Sequence, residues 1–120
     1  MTTTARPDGE SGTVYIEVTT ATESRDAAVA LARMAVESRL AAGAQITGPA
    51  VSVFWHLGEF GTGEEWRLAL RTRLDLFEEL QEKLMQNHPW KNPEIIATQI
   101  LAGSSECLEW IRASTRGAES

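Results

Sequence analysis

The stretch "VSVFWHLGEFGTGEEWRLALRT", Val51–Thr72, decides how this chain folds. Its first part alternates, with Val51, Val53, Trp55 and Leu57 on one side and Ser52, Phe54 and His56 on the other. A period of two is the signature of a strand. The last part alternates again, setting Trp66, Leu68 and Leu70 against Glu65, Arg67, Ala69 and Arg71. Between them, "GEFGTGE" (58–64) supplies the glycines of a hairpin loop, so the two halves are expected to pair as a long antiparallel hairpin. Phe54 and Trp55 are adjacent and point to opposite faces, so one of them leaves any core built on a single face.

Outward from the hairpin, the pattern changes period. Gly48-Pro49 precedes it, and because proline cannot donate to a sheet ladder, a bend or bulge belongs there. "TVYIEVTT" (13–20) alternates Val14, Ile16 and Val18 against Tyr15, Glu17 and Thr19, a first strand. A helix is predicted from about Ser24 to Ala42, with Ala28, Val29, Leu31, Ala32, Ala35, Val36 and Leu40 on its apolar face and Gly43 as its stop. Arg33 and Glu37 are spaced as an i,i+4 pair. Downstream, Asp75 with Glu78 has the form of a capping box opening a second helix, whose stripe is Leu76, Phe77, Leu80 and Leu84. Glu79 and Lys83 are spaced to pair on its exposed side. That helix stops near Asn87, because Pro89 drives His88 out of the helical region. "EIIATQILA" (94–102) reads as a fourth strand, and "SSECLEWIRAS" (104–114) as a terminal helix with a serine cap and Leu108 and Ile111 facing inward.

The order β-α-β-β-α-β plus a C-terminal helix defines an α+β, ferredoxin-like sandwich: two helices on one face of a four-stranded antiparallel sheet. Residues 13–116 form the single expected domain, between a disordered N-terminal tail (1–12) and a short C-terminal one (117–120). Apolar side chains on the uncovered sheet face point to self-association.

Composition narrows the function. The chain has 120 residues and a net charge of -6, with its basic residues scattered among acids, which excludes a nucleic-acid surface. No apolar run approaches the roughly 20 residues of a membrane span, and the polar start lacks the apolar segment of a signal peptide. A single cysteine, Cys107, forms no internal disulfide and fits a cytoplasmic protein. "GEFGTG" lacks the Gly-Lys-Ser/Thr of a phosphate loop and leads into a strand. Cys107 is expected on the inner face of the last helix, acting as a small hydrophobe. Ser52 and His56 are too far apart along a strand to exchange a proton, and no catalytic set emerges. Metal binding is the remaining chemistry. His56 and His88 offer imidazole nitrogens, and Glu65 and Glu94 hard oxygens, but no Cys-x-x-Cys or His-x-x-x-His spacing gathers them within one element.

Several phrases together resemble the CutA family of divalent-cation tolerance proteins. "TTATESRDAAVALARMAVESRLAAGAQI" is similar to that family's first strand-end and helix, and "VSVFWHLGEF" to its Tyr-x-Trp-x-Gly-Lys segment. Glu65, "LRT", "HPWKNPEII" and "GSSECLEWIRAST" resemble further family phrases, the His-Pro phrase being the most specific. The resemblance implies a non-enzymatic homotrimer, PII-like in plan, concerned with tolerance of divalent metals and copper especially. It points to weak binding of Cu(II) or another divalent cation at His88, helped by Glu65, Glu94 or His56. Thr19 and Asn87 stand where copper-binding members offer a cysteine and a second histidine, and Gly43, Phe54, His56, Glu59 and Cys107 also depart from the family pattern. The competing expectation is a PII-like sensor holding a small anionic metabolite between subunits through Arg67, Arg71 or Lys91.

Overall fold

Antiparallel pairing organises the chain. The structure, a computed structural model, describes residues 4–5 and 12–117. In order it forms β1 (Thr4–Ala5), β2 (Tyr15–Thr22), α1 (Arg25–Glu37), β3 (Gly43–His56), β4 (Glu59–Arg73), a 3₁₀ turn (Leu74–Leu76), α2 (Phe77–Asn87), β5 (Ile96–Gln99), β6 (Gly103–Ser104) and α3 (Ser105–Ser114). The main sheet has strand order β3-β4-β2-β5 with every pair antiparallel, the order of a ferredoxin-like sandwich. Of the expected N-terminal tail, Thr4–Ala5 pairs with Ser104 and Gly103, while positions 1–3 and 6–11 lie outside the described residues, as do 118–120 of the C-terminal one.

Period-two alternation places Ile16 and Val18 of β2 and Leu68 and Leu70 of β4 on one sheet face. There they meet Leu31, Ala32 and Ala35 of α1 and Leu80 and Leu84 of α2, all buried. The neighbouring residue Tyr15 points the other way and packs with Leu108 and Ile111 of α3. The third helix therefore covers part of the second face. Ser24 caps α1, its hydroxyl accepting the Ala27 amide at 3.1 Å, and Ser104 caps α3 through the Cys107 amide at 3.3 Å.

Four local readings are corrected. First, α1 ends at Glu37, short of Ala42. Arg39 turns left-handed at φ 62°, the amides of Leu40 and Ala41 both close on the Ala35 carbonyl, and Leu40 tucks into the core. Gly43 begins β3 and stops nothing. Second, the hairpin turn is only Leu57-Gly58, both at positive φ (51° and 80°), and Glu59 onward is strand. Gly61 belongs to that strand: a Cβ there would come within 2.7 Å of the Phe54 ring across the ladder, so a side chain requires that ring to shift. Third, the capping box does not form. Asp75 turns back to Arg73, which is 5% exposed, and accepts from its Nε at 2.9 Å and its Nη2 at 2.8 Å. A buried guanidinium needs that bidentate partner more than a helix end needs a cap. Fourth, Glu79 pairs with Arg116 at the C-terminal end.

The Gly48-Pro49 interruption is a register shift between Thr47 and Ala50, with a cis peptide between the two residues. Beyond it, β3 and β4 continue paired from Ala50↔Glu65 to His56↔Glu59, whereas β2 accompanies β4 only from Trp66 onward. The hairpin thus projects as a two-stranded arm, and the molecule with its arm has overall extents of 48 × 25 × 23 Å.

Candidate functional site

His88 is the most enclosed of the expected ligands. The helical pattern of α2 runs out at Asn87, and Pro89 holds His88 at φ -76°, ψ 139°, which swings the imidazole under the end of β2. The residue is 9% exposed. Its Nδ1 accepts the Trp90 backbone N–H at 3.0 Å, and its Nε2 lies 2.8 Å from the Ala21 carbonyl oxygen and 3.2 Å from Thr20 Oγ1. Trp90 also stacks obliquely on the ring, with centroids 5.4 Å apart. Burial holds the His88 pKa below its ordinary value of 6.5, against a smaller opposing effect of the Ala21 carbonyl.

The two glutamates lie elsewhere. Glu65, half-buried on β4, accepts the Ser52 hydroxyl at 2.6 Å, which leaves Ser52 no part in a pair with His56. Glu94, just before β5, bridges to Arg67 Nη2 at 3.2 Å, and Arg67 Nη1 lies 4.0 Å from Glu65. The fold does bring Glu65 and Glu94 towards one place, but the Arg67 guanidinium already fills the position between them. His56 is far along the chain at the arm tip, exposed and opposite Glu59. Among the described residues, no three or more His, Cys, Asp or Glu side chains converge closely enough to hold a metal ion.

The donor chemistry at His88 does not fit a metal ligand in one chain either. An imidazole ligates through a lone pair, and here one nitrogen receives an N–H while the other faces a carbonyl. The arginines expected to hold an anion are also engaged: Arg67 as above, and Arg71 with Glu17 at 3.6 Å. Lys91 is exposed. Cys107 is half-buried in the first turn of α3. Two hollows, of about 380 and about 300 Å³, flank Arg73 and Trp110 respectively; neither includes an expected metal ligand, and the second is lined in part by Arg71.

Thr20 and Ala21, which receive the His88 ring, were missed by reading the sequence for ligands. A signal was present: Thr20 and Thr22 share the parity of Ile16 and Val18, and hydroxyls on a core face need partners.

The architecture is that of an α+β ferredoxin-like protein with a third helix on the second sheet face and a long projecting hairpin. The family profile described as "CutA1 divalent ion tolerance protein" matches residues 16–114. The chain belongs to that family. It is 35% identical over 113 residues to rice Protein CutA 1, chloroplastic, an alignment covering 93% of this chain and 64% of that one. It is also 35% identical over 92 residues to the divalent-cation tolerance protein CutA of Thermus thermophilus, covering 77% and 89%. The chain thus spans less than two thirds of the length of the rice protein. In structure it superposes on the Thermus thermophilus protein with a TM-score of 0.82 at 33% identity (84% and 98% covered). The corresponding values for CutA1 from Oryza sativa are 0.83 and 34% (87% and 95% covered).

Proposed function

We propose that this protein is a non-enzymatic, cytoplasmic homotrimer serving divalent-cation tolerance, with copper the leading ion, and that it meets cations weakly at surface donors. The observation that carries the assembly is the β3–β4 arm. Val51 is 76% exposed and Trp55 75% on β3, and Leu57 is 90% exposed at the turn, in an arm where, among the described residues, no third strand lies beside β3 and β4. An isolated two-stranded ribbon is marginal in water, and exposed apolar side chains of that size call for a partner surface. Three copies is the number the family resemblance implies. The chloroplastic name of the rice relative, and the periplasmic name of an Archaeoglobus fulgidus neighbour 28% identical to this chain, belong to those proteins. No helix among the described residues is long and apolar enough to cross a membrane.

For the cation, His56 with Glu59 opposite it across the turn is the open donor pair, and Glu65 and Glu94 become available where an ion displaces Arg67. Two donors from one chain give weak binding, which a neighbouring arm would strengthen. Calorimetric titration of tag-free protein with Cu(II) or Zn(II) is expected to show saturable binding that weakens in His56→Ala. No heat of binding at millimolar metal would refute the cation contact. Arg67 and Arg71 are both paired with carboxylates, so the anion-sensor reading gains no support.

A further inference from the structure

The Trp90 backbone N–H points at His88 Nδ1, which therefore carries a lone pair; the ring proton then sits on Nε2, where it donates to the Ala21 carbonyl with Thr20 Oγ1 beside it. All the polar partners of the ring are uncharged, and they come from both sides of the junction it spans: two from β2 and one from its own loop. The far end of that loop is anchored separately, by Glu94 to Arg67 of β4. We infer that His88 is a neutral, Nε2–H clasp that ties the 88–95 loop to the end of β2 and is thereby withheld from metal. Cation contact in this chain passes to His56.

The chemistry is a competition for one lone pair. A metal at Nδ1 would take the lone pair to which the part-buried Trp90 amide donates and leave that amide unpaired. A metal at Nε2 would move the ring proton to Nδ1, where it would meet the Trp90 N–H donor to donor, and the Ala21 carbonyl would lose its hydrogen bond. His56, exposed on the arm, loses nothing by binding. The loop is consequently a fixed part of the fold, held at 88 and at 94, and the His-Pro phrase is conformational hardware.

The inference rests on the cation-tolerance reading only for its choice of probe ion, and the test separates the two. Long-range proton–nitrogen spectra of full-length protein labelled at histidine nitrogens are expected to show the Nε2–H tautomer at His88. On addition of zinc chloride, the His56 ring signals shift or broaden while those of His88 stay in place. In His88→Gln, whose side-chain N–H can stand in for Nε2–H but whose carbonyl oxygen does not occupy the Nδ1 position, the Trp90 amide is expected to exchange with solvent roughly tenfold faster, as one lost hydrogen bond implies. An Nδ1–H tautomer at His88, or a His88 response at the zinc concentration that moves His56, overturns the clasp. If zinc moves neither ring while His88 remains Nε2–H, the clasp stands and the cation reading of His56 fails.

Discussion

At the scale of single residues, the deciding fact is that a histidine can be used up. His88 looked like a donor because imidazole is one, yet its two nitrogens are spent on Trp90 and Ala21. A pH dependence follows. The unfolded chain takes up a proton at this ring near pH 6.5, whereas burial lowers the folded value, so the folded chain binds fewer protons in that window. The stability supplied by the neutral clasp is complete above pH 6.5 and falls as the pH drops towards the folded value. Urea unfolding at about pH 7.5 and about pH 5.5 should show a larger loss in the parent protein than in His88→Gln. Equal losses would mean that the ring does not contribute through its neutral form. Glu65 and Glu94, the expected carboxylate donors, both face Arg67, so a cation there has to displace the guanidinium.

At the scale of elements, the hairpin repays attention. A two-residue turn with both residues at positive φ matches the twist of its flanking strands, and asparagine followed by glycine is the favoured pair. Here Leu57 holds the first place at φ 51°, where a side chain without local hydrogen bonding costs about 1 kcal/mol. Leu57→Asn is therefore expected to stabilise the isolated chain by roughly 0.5–1 kcal/mol in denaturant unfolding. That so apolar a residue persists at an exposed turn is explained if the turn is covered in the assembly, in which case the same substitution weakens association. The capping box failed for an equally local reason: Asp75 had a buried arginine within reach, and the Arg73 hydrogen bonds hold its carboxyl below the ordinary value of 3.8.

At the scale of the whole molecule, the arm and the uncovered part of the sheet make one prediction together. Sedimentation should give three times the 13.2 kDa mass of one chain. Trp55→Glu, which places a charge on the arm without touching the buried core, should shift the distribution towards smaller species by about tenfold or more in dissociation constant, the effect of losing over 1.4 kcal/mol at a buried aromatic contact. A parent protein that sediments as a monomer would sink the trimer and leave the arm unexplained.

Period-two and period-3.6 patterns, the proline after His88 and the serine caps were sufficient to define the order of elements, the ferredoxin-like class and most of the core. These signals are local, each set by neighbours a few residues away. The helix end at Glu37 was illegible because a long-range contact overrode local preference: Leu40 had a core to enter. The Asp75 cap was lost to a residue only two positions away, but the burial that makes Arg73 need a partner is set by the fold. The candidate site was the least legible part. Which residues carried nitrogen or carboxylate donors could be listed from the sequence, but whether those donors were free depended on partners as far away as Ala21 is from His88. Only the tertiary structure decided that, because a lone pair is available or spent according to what the fold sets against it.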